Sequence, residues 1–502
     1  MQNPLAKALR ICKGEGSPRC SSPALAGQDV STPCSGDQCS AAGSVAVMHF
    51  VIIGGGPAGV EAAATASRLR AQVTLIERSI VGGAANLWDC VPSKAMIAAG
   101  GMLGITRRAR SFLVASNPGT PDLLALRERV EGISDALAAS MTRQLESQGV
   151  RVIRGSGHLA GPTSVVVVPD GAAGESQEEL DADAILVATG STPRVPDWAD
   201  VDGDRILITR QAYPPHTIPE HVVVVGSGVT GVEFVHMFRS LGCRVTLIVS
   251  RQQVLPGKDP EVAAALEADF LSSGVQLMIG ARANRATRTD DGVVVSCEDG
   301  RVIEASHALI AIGSVPNSAG LGLDAAGVKT DDYGYVVVNH HCQSNVEHIY
   351  AAGDLSGRLQ LASVASAQGR KIAEHVMGLH TRVHRHLDYD KAASAIFTEP
   401  EIADVGLAEA EAFAVGQKIR VTKVPFAINA KAMIEGDSRG FVKLVSDPAT
   451  GVVLGGSIVG AHAAELISVI ALAVTAHLRV EDLAESVFVH PALSEAIAAA
   501  SE

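Results

Sequence analysis

The apolar positions of this chain gather into short runs that stop at glycine, followed by alanine-rich stretches. HFVII, His49 to Ile53, is one such run, and Gly54, Gly56 and Gly59 follow it at once. An alanine-rich segment comes next, then QVTLIE, which ends in Glu77. The pattern predicts strand, tight turn, helix, strand. It returns 172 residues after Gly54: strand Val222 to Val225, then Gly226, Gly228 and Gly231, a helix, and strand Arg244 to Val249. Further on, AELISVIALAVTAHL (Ala464 to Leu478) carries Glu465 and Ser468. It falls short of the roughly 18 apolar residues a membrane span needs, so it predicts a buried helix and a candidate subunit interface.

Both units put glycine where dinucleotide chemistry needs it. In the loop Gly54, Gly55, Gly56, Pro57, Ala58, Gly59, the first glycine permits the turn and Gly56 lets backbone N–H groups approach a pyrophosphate. Gly59 lets helix and strand pack closely, and the helix N-terminus faces the phosphates with partial positive charge. Glu77 lies where a carboxylate can accept hydrogen bonds from a ribose. Nothing in this segment alone chooses FAD over NAD. Two units in one chain imply two dinucleotides, read as one bound flavin and one exchangeable nicotinamide cofactor. The second unit closes on Val249, Ser250, Arg251, with no carboxylate to repel a 2′-phosphate. Arg251 can attract that phosphate, which predicts that NADPH is accepted alongside NADH; a solvated surface arginine is the other reading.

Length and charge narrow the classes. At 502 residues the chain has room for about three to four domains of roughly 100–200 residues. Its 41 Lys and Arg against 54 Asp and Glu give a net charge of −13, and aromatics make up only 3%. Neither nucleic acid nor an anionic membrane suits that balance as a main partner. Of eight cysteines, Cys12, Cys20, Cys34 and Cys39 lie in the first 47 residues, while Cys90, Cys243, Cys297 and Cys342 are widely spaced. That is neither a disulfide framework nor a zinc pattern, and a reducing cytoplasm fits. Residues 1–47, rich in Ser, Gly, Pro and Cys, predict a disordered extension without a signal-peptide stretch. A translation start at Met48 is one reading of it; a transit peptide is another, and Glu15, Asp29 and Asp37 count against that.

An ordered set of motifs runs through the rest: GGGPAG, GGAANLWDCVPSK, ATGSTPRVP, VGSGVTGVEF, AIGSVPNSAGLGL, IYAAGD, FTEPEIADVG and VHPALSEAI. With these the chain resembles the flavoprotein disulfide reductases (class I pyridine nucleotide-disulfide oxidoreductases), among them dihydrolipoamide dehydrogenase, glutathione reductase and mercuric reductase. The resemblance covers residues 48–502. It implies an α/β chain with two Rossmann-like dinucleotide-binding domains, for FAD and NAD(P), plus a C-terminal α+β dimerisation domain. The expected divisions are an FAD domain at 48–196, an NAD(P) domain at 197–316, a central FAD-completing segment at 317–383 and a dimerisation domain at 384–502. A homodimer follows from the same analogy.

One position departs from the family. Its members carry GGTCxxxxCxPSK, whose two cysteines form a redox disulfide over the flavin. Here Ala85 stands at the first cysteine and Cys90 at the second. A methyl group neither forms nor attacks a disulfide, so the dithiol relay is chemically impossible within this motif. GGAA with DCVPSK, GSVPN in place of GR-x-PN, and INAKAM downstream look like the NAD(P)H:quinone reductase branch. Those enzymes pass electrons from reduced flavin straight to a quinone or similar acceptor. Ser314 stands where the family usually has arginine.

The resemblance carries further residues, each with a plainer alternative. Pro92 opens a helix, and Cys90 just before it sits where a thiolate is stabilised, beside the isoalloxazine ring, or is an inert small residue. Lys94 and Glu233 match a pair near flavin N5, where a cation stabilises reduced flavin; a surface lysine and a dipole-satisfying glutamate are the alternative. Asp354 matches a ribitol contact, or caps a helix. Gly83, Ala84, Thr189, Gly190, Gly313, Gly353 and Ala362 fall in motifs that contact the two nucleotides. His490 and Glu495 match a His–Glu pair that serves the thiol from the other subunit; having lost that client, it supplies a proton to a reduced quinone or is a leftover of a loop and helix start.

The expected activity has two half-reactions: NAD(P)H gives hydride to the flavin, and a quinone-type small molecule then takes two electrons. The rivals are a disulfide reductase of the dihydrolipoamide dehydrogenase kind, a transhydrogenase or oxidase, and a flavin-binding protein without turnover.

Overall fold

The computed structural model describes residues 47–114, 119–171, 177–379 and 387–502. The extension predicted to be disordered, residues 1–47, lies outside them except for Val47. The chain forms a mixed α/β fold of two parallel-sheet units and a C-terminal antiparallel sheet.

The first sheet orders its strands 349–351, 184–187, 49–53, 72–77, 151–159, 164–169, 178–181. Its first five strands run parallel, and the last three turn antiparallel. Phe50, Ile52, Leu75 and Leu186 are wholly buried, which is why the central strands read as unbroken apolar runs. The helix Pro57–Arg68 packs on this sheet against the helix Ala362–Val376, where Gly369 lets the two backbones approach Ala58 closely.

The second sheet repeats the design, in the order 276–279, 244–249, 221–225, 307–310, 206–208, all parallel. A three-stranded antiparallel sheet, 283–288, 293–297 and 302–305, accompanies it. The two units also match bond for bond. The Gly54 amide donates to the Ile76 carbonyl at 2.9 Å, and the Gly226 amide to the Ile248 carbonyl at 3.2 Å. Both glycines have positive φ, 108° and 112°. A Cβ on Gly59 would overlap the carbonyl oxygen of Gly54, and one on Gly231 that of Gly226. A short ribbon pairs strand 191–193 with 314–316.

The C-terminal sheet, in the order 394–396, 401–406, 453–460, 441–446, 420–425, is antiparallel throughout. The helix Ala463–Ala476 packs on it. This helix was expected to be buried and to be a candidate subunit interface, and the single chain covers one face of it. Ile467, Ile470, Ala473 and Val474 are covered, whereas Leu472 is 64% exposed. Apart from Glu465, Ser468 and Thr475 the helix is apolar, so its composition hides which face the single chain covers. Among the described residues no helix is long and apolar enough to cross a membrane.

Candidate functional site

The first glycine turn, the ribbon and the start of helix Val91–Arg108 surround one large cavity of about 1100 Å³. This is slightly above the roughly 300–1,000 Å³ usual for ligand sites. Gly54, Gly56, Pro57, Ala58, Glu77, Gly83, Ala84, Cys90, Lys94, Thr189, Gly190, Glu233, Gly313, Gly353, Asp354 and Ala362 line it, so the fold brings most of the expected site residues together. Gly59, Gly226, Gly228, Gly231 and Arg251 lie off its wall, as do His490 and Glu495.

The walls fit a dinucleotide. The Glu77 carboxylate accepts from the amides of Gly55 and Ser79, both at 2.7 Å, so it braces the glycine loop and keeps lone pairs for a ribose. A Cβ on Gly83 would come within 2.8 Å of the Gly56 Cα, so two glycine segments form a cradle that side chains would fill. Helix Pro57–Arg68 opens at Gly56 with no side-chain cap, leaving its first amides for an anion. Gly228 opens helix Val229–Leu241 in the same uncapped way. Asp354, in the turn after strand 349–351, accepts from the Ser191 hydroxyl at 2.6 Å. Burial pushes its carboxyl above the usual carboxylate range, against the pull of that hydrogen bond.

Cys90 is the residue before helix Val91–Arg108, and Pro92 occupies the helix's second position, one later than expected. The turn Ala85–Asp89 before it is a π-turn, closed by the Cys90 amide donating to the Ala85 carbonyl at 3.2 Å. Cys90 is the one cysteine on the cavity wall among the described residues; Cys243, Cys297 and Cys342 are buried elsewhere. Burial raises the Cys90 thiol above its ordinary value and outweighs the lowering by Lys94.

Lys94 Nζ donates to Glu233 Oε2 at 2.8 Å and lies 5.0 Å from the Phe397 ring centroid. The other Glu233 oxygen accepts from the Phe397 amide at 3.0 Å. Glu233 is only 6% exposed and lies beyond the first turn of helix Val229–Leu241, which counts against the dipole-satisfying alternative. Three segments distant in sequence thus fix one cation on the wall.

His490 Nδ1 lies 2.8 Å from Glu495 Oε1, and the Ala492 amide donates to Glu495 Oε2 at 2.8 Å. That amide first, and His490 second, hold the Glu495 carboxyl below its ordinary range. The His490 side chain is 73% exposed. Arg251 is exposed at the end of strand 244–249.

Several contacts had no local signal in the sequence. Arg210 donates through Nε and Nη2 to both Asp89 oxygens at 2.9 and 2.6 Å, and through Nη2 to the Ser191 carbonyl at 2.9 Å. Its Cζ lies 4.8 Å from the Trp88 ring centroid. The Asn317 side chain accepts from the Thr192 hydroxyl at 2.6 Å and donates to the Thr189 carbonyl at 2.8 Å. Buried Gln368 accepts from the Gly353 amide at 2.7 Å, fixing the turn that carries Asp354. Only family-wide knowledge of those motifs, or long-range pairing, would have found them.

Comparison with known proteins places this geometry. Residues 48–369 match the family described as pyridine nucleotide-disulphide oxidoreductase, and residues 392–501 match its dimerisation domain. The chain is 42% identical over 463 residues to an NAD(P)H dehydrogenase (quinone) of Mycobacterium tuberculosis, covering 91% of this chain and 93% of that one. It is 33% identical over 461 residues to a dihydrolipoyl dehydrogenase of Bacillus subtilis, covering 90% and 96%. The crystal structure of LpdA from Mycobacterium tuberculosis superposes with a TM-score of 0.85 at 42% identity, covering 91% of this chain and 99% of that one.

Proposed function

This chain belongs to the pyridine nucleotide-disulphide oxidoreductase family, whose members bind FAD and use NAD(P)H, and from that premise we propose an NAD(P)H:quinone oxidoreductase that works without a redox disulfide. The observation that carries the reading is the pairing of Ala85 with Cys90 on the wall of the cavity. One sulfur cannot relay two electrons through a bridge, so the electrons leave from the flavin to a diffusible acceptor.

When bound, FAD supplies the two-electron relay between nicotinamide and acceptor. The protein supplies position and field. The glycine loop and helix start at Gly56 hold the pyrophosphate, Glu77 the ribose and Asp354 the ribitol. Lys94, pinned by Glu233, presents a cation where negative charge develops. Gly226, Gly228 and Gly231 receive the nicotinamide cofactor, and Arg251 accepts a 2′-phosphate. The second strand's missing carboxylate supports NADPH use with NADH alongside.

Net transfer is balanced by hydride: NAD(P)H is oxidised by two electrons, and the quinone gains those electrons and two protons, one within the hydride equivalent and one from solvent or His490. His490, oriented by Glu495, reaches an acceptor in a homodimer built on residues 384–502, which places it in the partner's site. We place the enzyme in the cytoplasm, where isolated cysteines persist as thiols.

Assay of NAD(P)H oxidation with menadione, with lipoamide and with no added acceptor tests the proposal. Menadione-dependent turnover with ping-pong kinetics and no lipoamide turnover is expected. Fast lipoamide reduction by pure enzyme would overturn it.

A further inference from the structure

Trp88 and Arg210 stand out on the cavity wall because nothing in the bound nucleotides' requirements explains them. Trp88 sits within the π-turn Ala85–Asp89, three residues after the alanine that stands where relatives have cysteine. Arg210 comes from a separate segment, the short helix Thr209–Gln211, and covers the indole with its guanidinium. Its fork is spoken for on one side: Nε and Nη2 hold Asp89, and Nη2 also holds the Ser191 carbonyl. Ser191 in turn donates to Asp354. One chain of bonds therefore runs from Asp354 through Ser191 and Arg210 to the turn that carries Cys90. Nη1 takes no part in those bonds.

We infer that the Trp88–Arg210 pair is the docking wall for the acceptor, and that it selects a planar, carbonyl-bearing aromatic ring. This rests on the reading that the cavity holds the flavin. On the side away from Arg210 the indole offers a flat π-face on which a quinone ring stacks in an offset arrangement. A guanidinium already held by Asp89 and Ser191 keeps its plane when the acceptor arrives, so little ordering remains to be done on binding. Nη1 donates to a quinone oxygen, and the cation favours the oxygen's growing negative charge as electrons arrive. A flexible aliphatic disulfide gains nothing from a flat wall of this kind. The turn that relatives use to carry a disulfide thus carries a stacking surface instead, locked by an ion pair rather than a covalent bond.

The test uses oxidised holoenzyme, which binds menadione without reacting. Menadione is titrated in, and the perturbation of the flavin visible spectrum gives its dissociation constant. W88A and R210M are each expected to raise that constant about tenfold or more, given the strength of aromatic and charge-assisted contacts. W88F is expected to stay within about threefold of the parent, since it keeps an aromatic face. R210K, which keeps charge but not the planar fork, is expected to fall between R210M and the parent. W88L replaces W88A if the latter sheds flavin. Constants equal to the parent in W88L and R210M would overturn the inference. So would an equal loss in the rate of flavin bleaching by NADPH, because the pair would then serve the fold or the nucleotide. Bleaching of the parent by NADPH is measured separately without quinone, and its absence would sink the underlying flavin reading rather than the wall alone.

Discussion

Lys94 and Glu233 meet at 2.8 Å although they belong to different helices, Val91–Arg108 and Val229–Leu241. The Phe397 amide holds the second Glu233 oxygen, so the carboxylate is fixed at both ends. The lysine is the more exposed partner, at 30% against 7% for the glutamate side chain. The pair is thus a buried anchor that aims a cation into the cavity.

K94M leaves a buried carboxylate without its counter-ion, and E233Q frees the lysine to swing. Each is expected to slow flavin reduction by NADPH in stopped flow, K94M by on the order of 10²-fold, as for loss of one charge-stabilising donor. K94M is also expected to lower stability by about 3 kcal/mol or less, the lower end for breaking a buried pair because Lys94 is partly solvated. A K94M enzyme reduced at the parental rate would remove the pair from the chemistry.

The twin glycines separate the two nucleotides. A methyl group on Gly59 collides with the Gly54 carbonyl, and one on Gly231 with the Gly226 carbonyl. G59A is expected to purify with little bound flavin, read from absorbance near 450 nm against protein. G231A is expected to keep its yellow colour and to lose affinity for NAD(P)H, read as a raised KM. Loss of flavin in both would mean the second loop serves the whole fold.

R251E tests the choice of nicotinamide cofactor. Reversing this exposed charge is expected to raise the KM for NADPH by roughly tenfold, about 1.4 kcal/mol, and to leave NADH nearly unchanged. Equal effects on both cofactors would assign Arg251 to something other than the 2′-phosphate.

Burial raises the Cys90 thiol above its ordinary value of 9.0, and Lys94 only partly offsets this. The folded protein therefore holds the proton to higher pH than a free thiol does. Alkylation by iodoacetamide in the apoprotein is expected to be slow at pH 7.5 and to climb through and beyond pH 9. A rate that levels off below pH 8 would show a stabilised thiolate instead.

Much of the site was legible because its chemistry is local. Glycine spacing after an apolar strand requires a particular turn, and both loops fold that way, with Glu77 bonded to the first. What escaped was set by contacts across long stretches of chain. Arg210 and Asp89 meet 121 residues apart, and no spacing rule pairs them. Lys443 was equally silent: it sits 2% exposed in a strand, neutralised by Asp259, Glu261 and Glu409. In the helix Ala463–Ala476 an apolar run does not say which face the single chain covers and which it leaves for a partner. The burial that raises the Cys90 thiol is set by distant segments, which the sequence does not record.

The central claim is that this site has one redox centre. Anaerobic reductive titration of the purified yellow enzyme, followed by flavin absorbance, measures it directly. Uptake ending at two electrons per flavin is the predicted result, with A85C rising towards four as a second thiol joins Cys90. Four electrons per flavin in the unaltered enzyme would contradict the account, because a second redox group would then share the work.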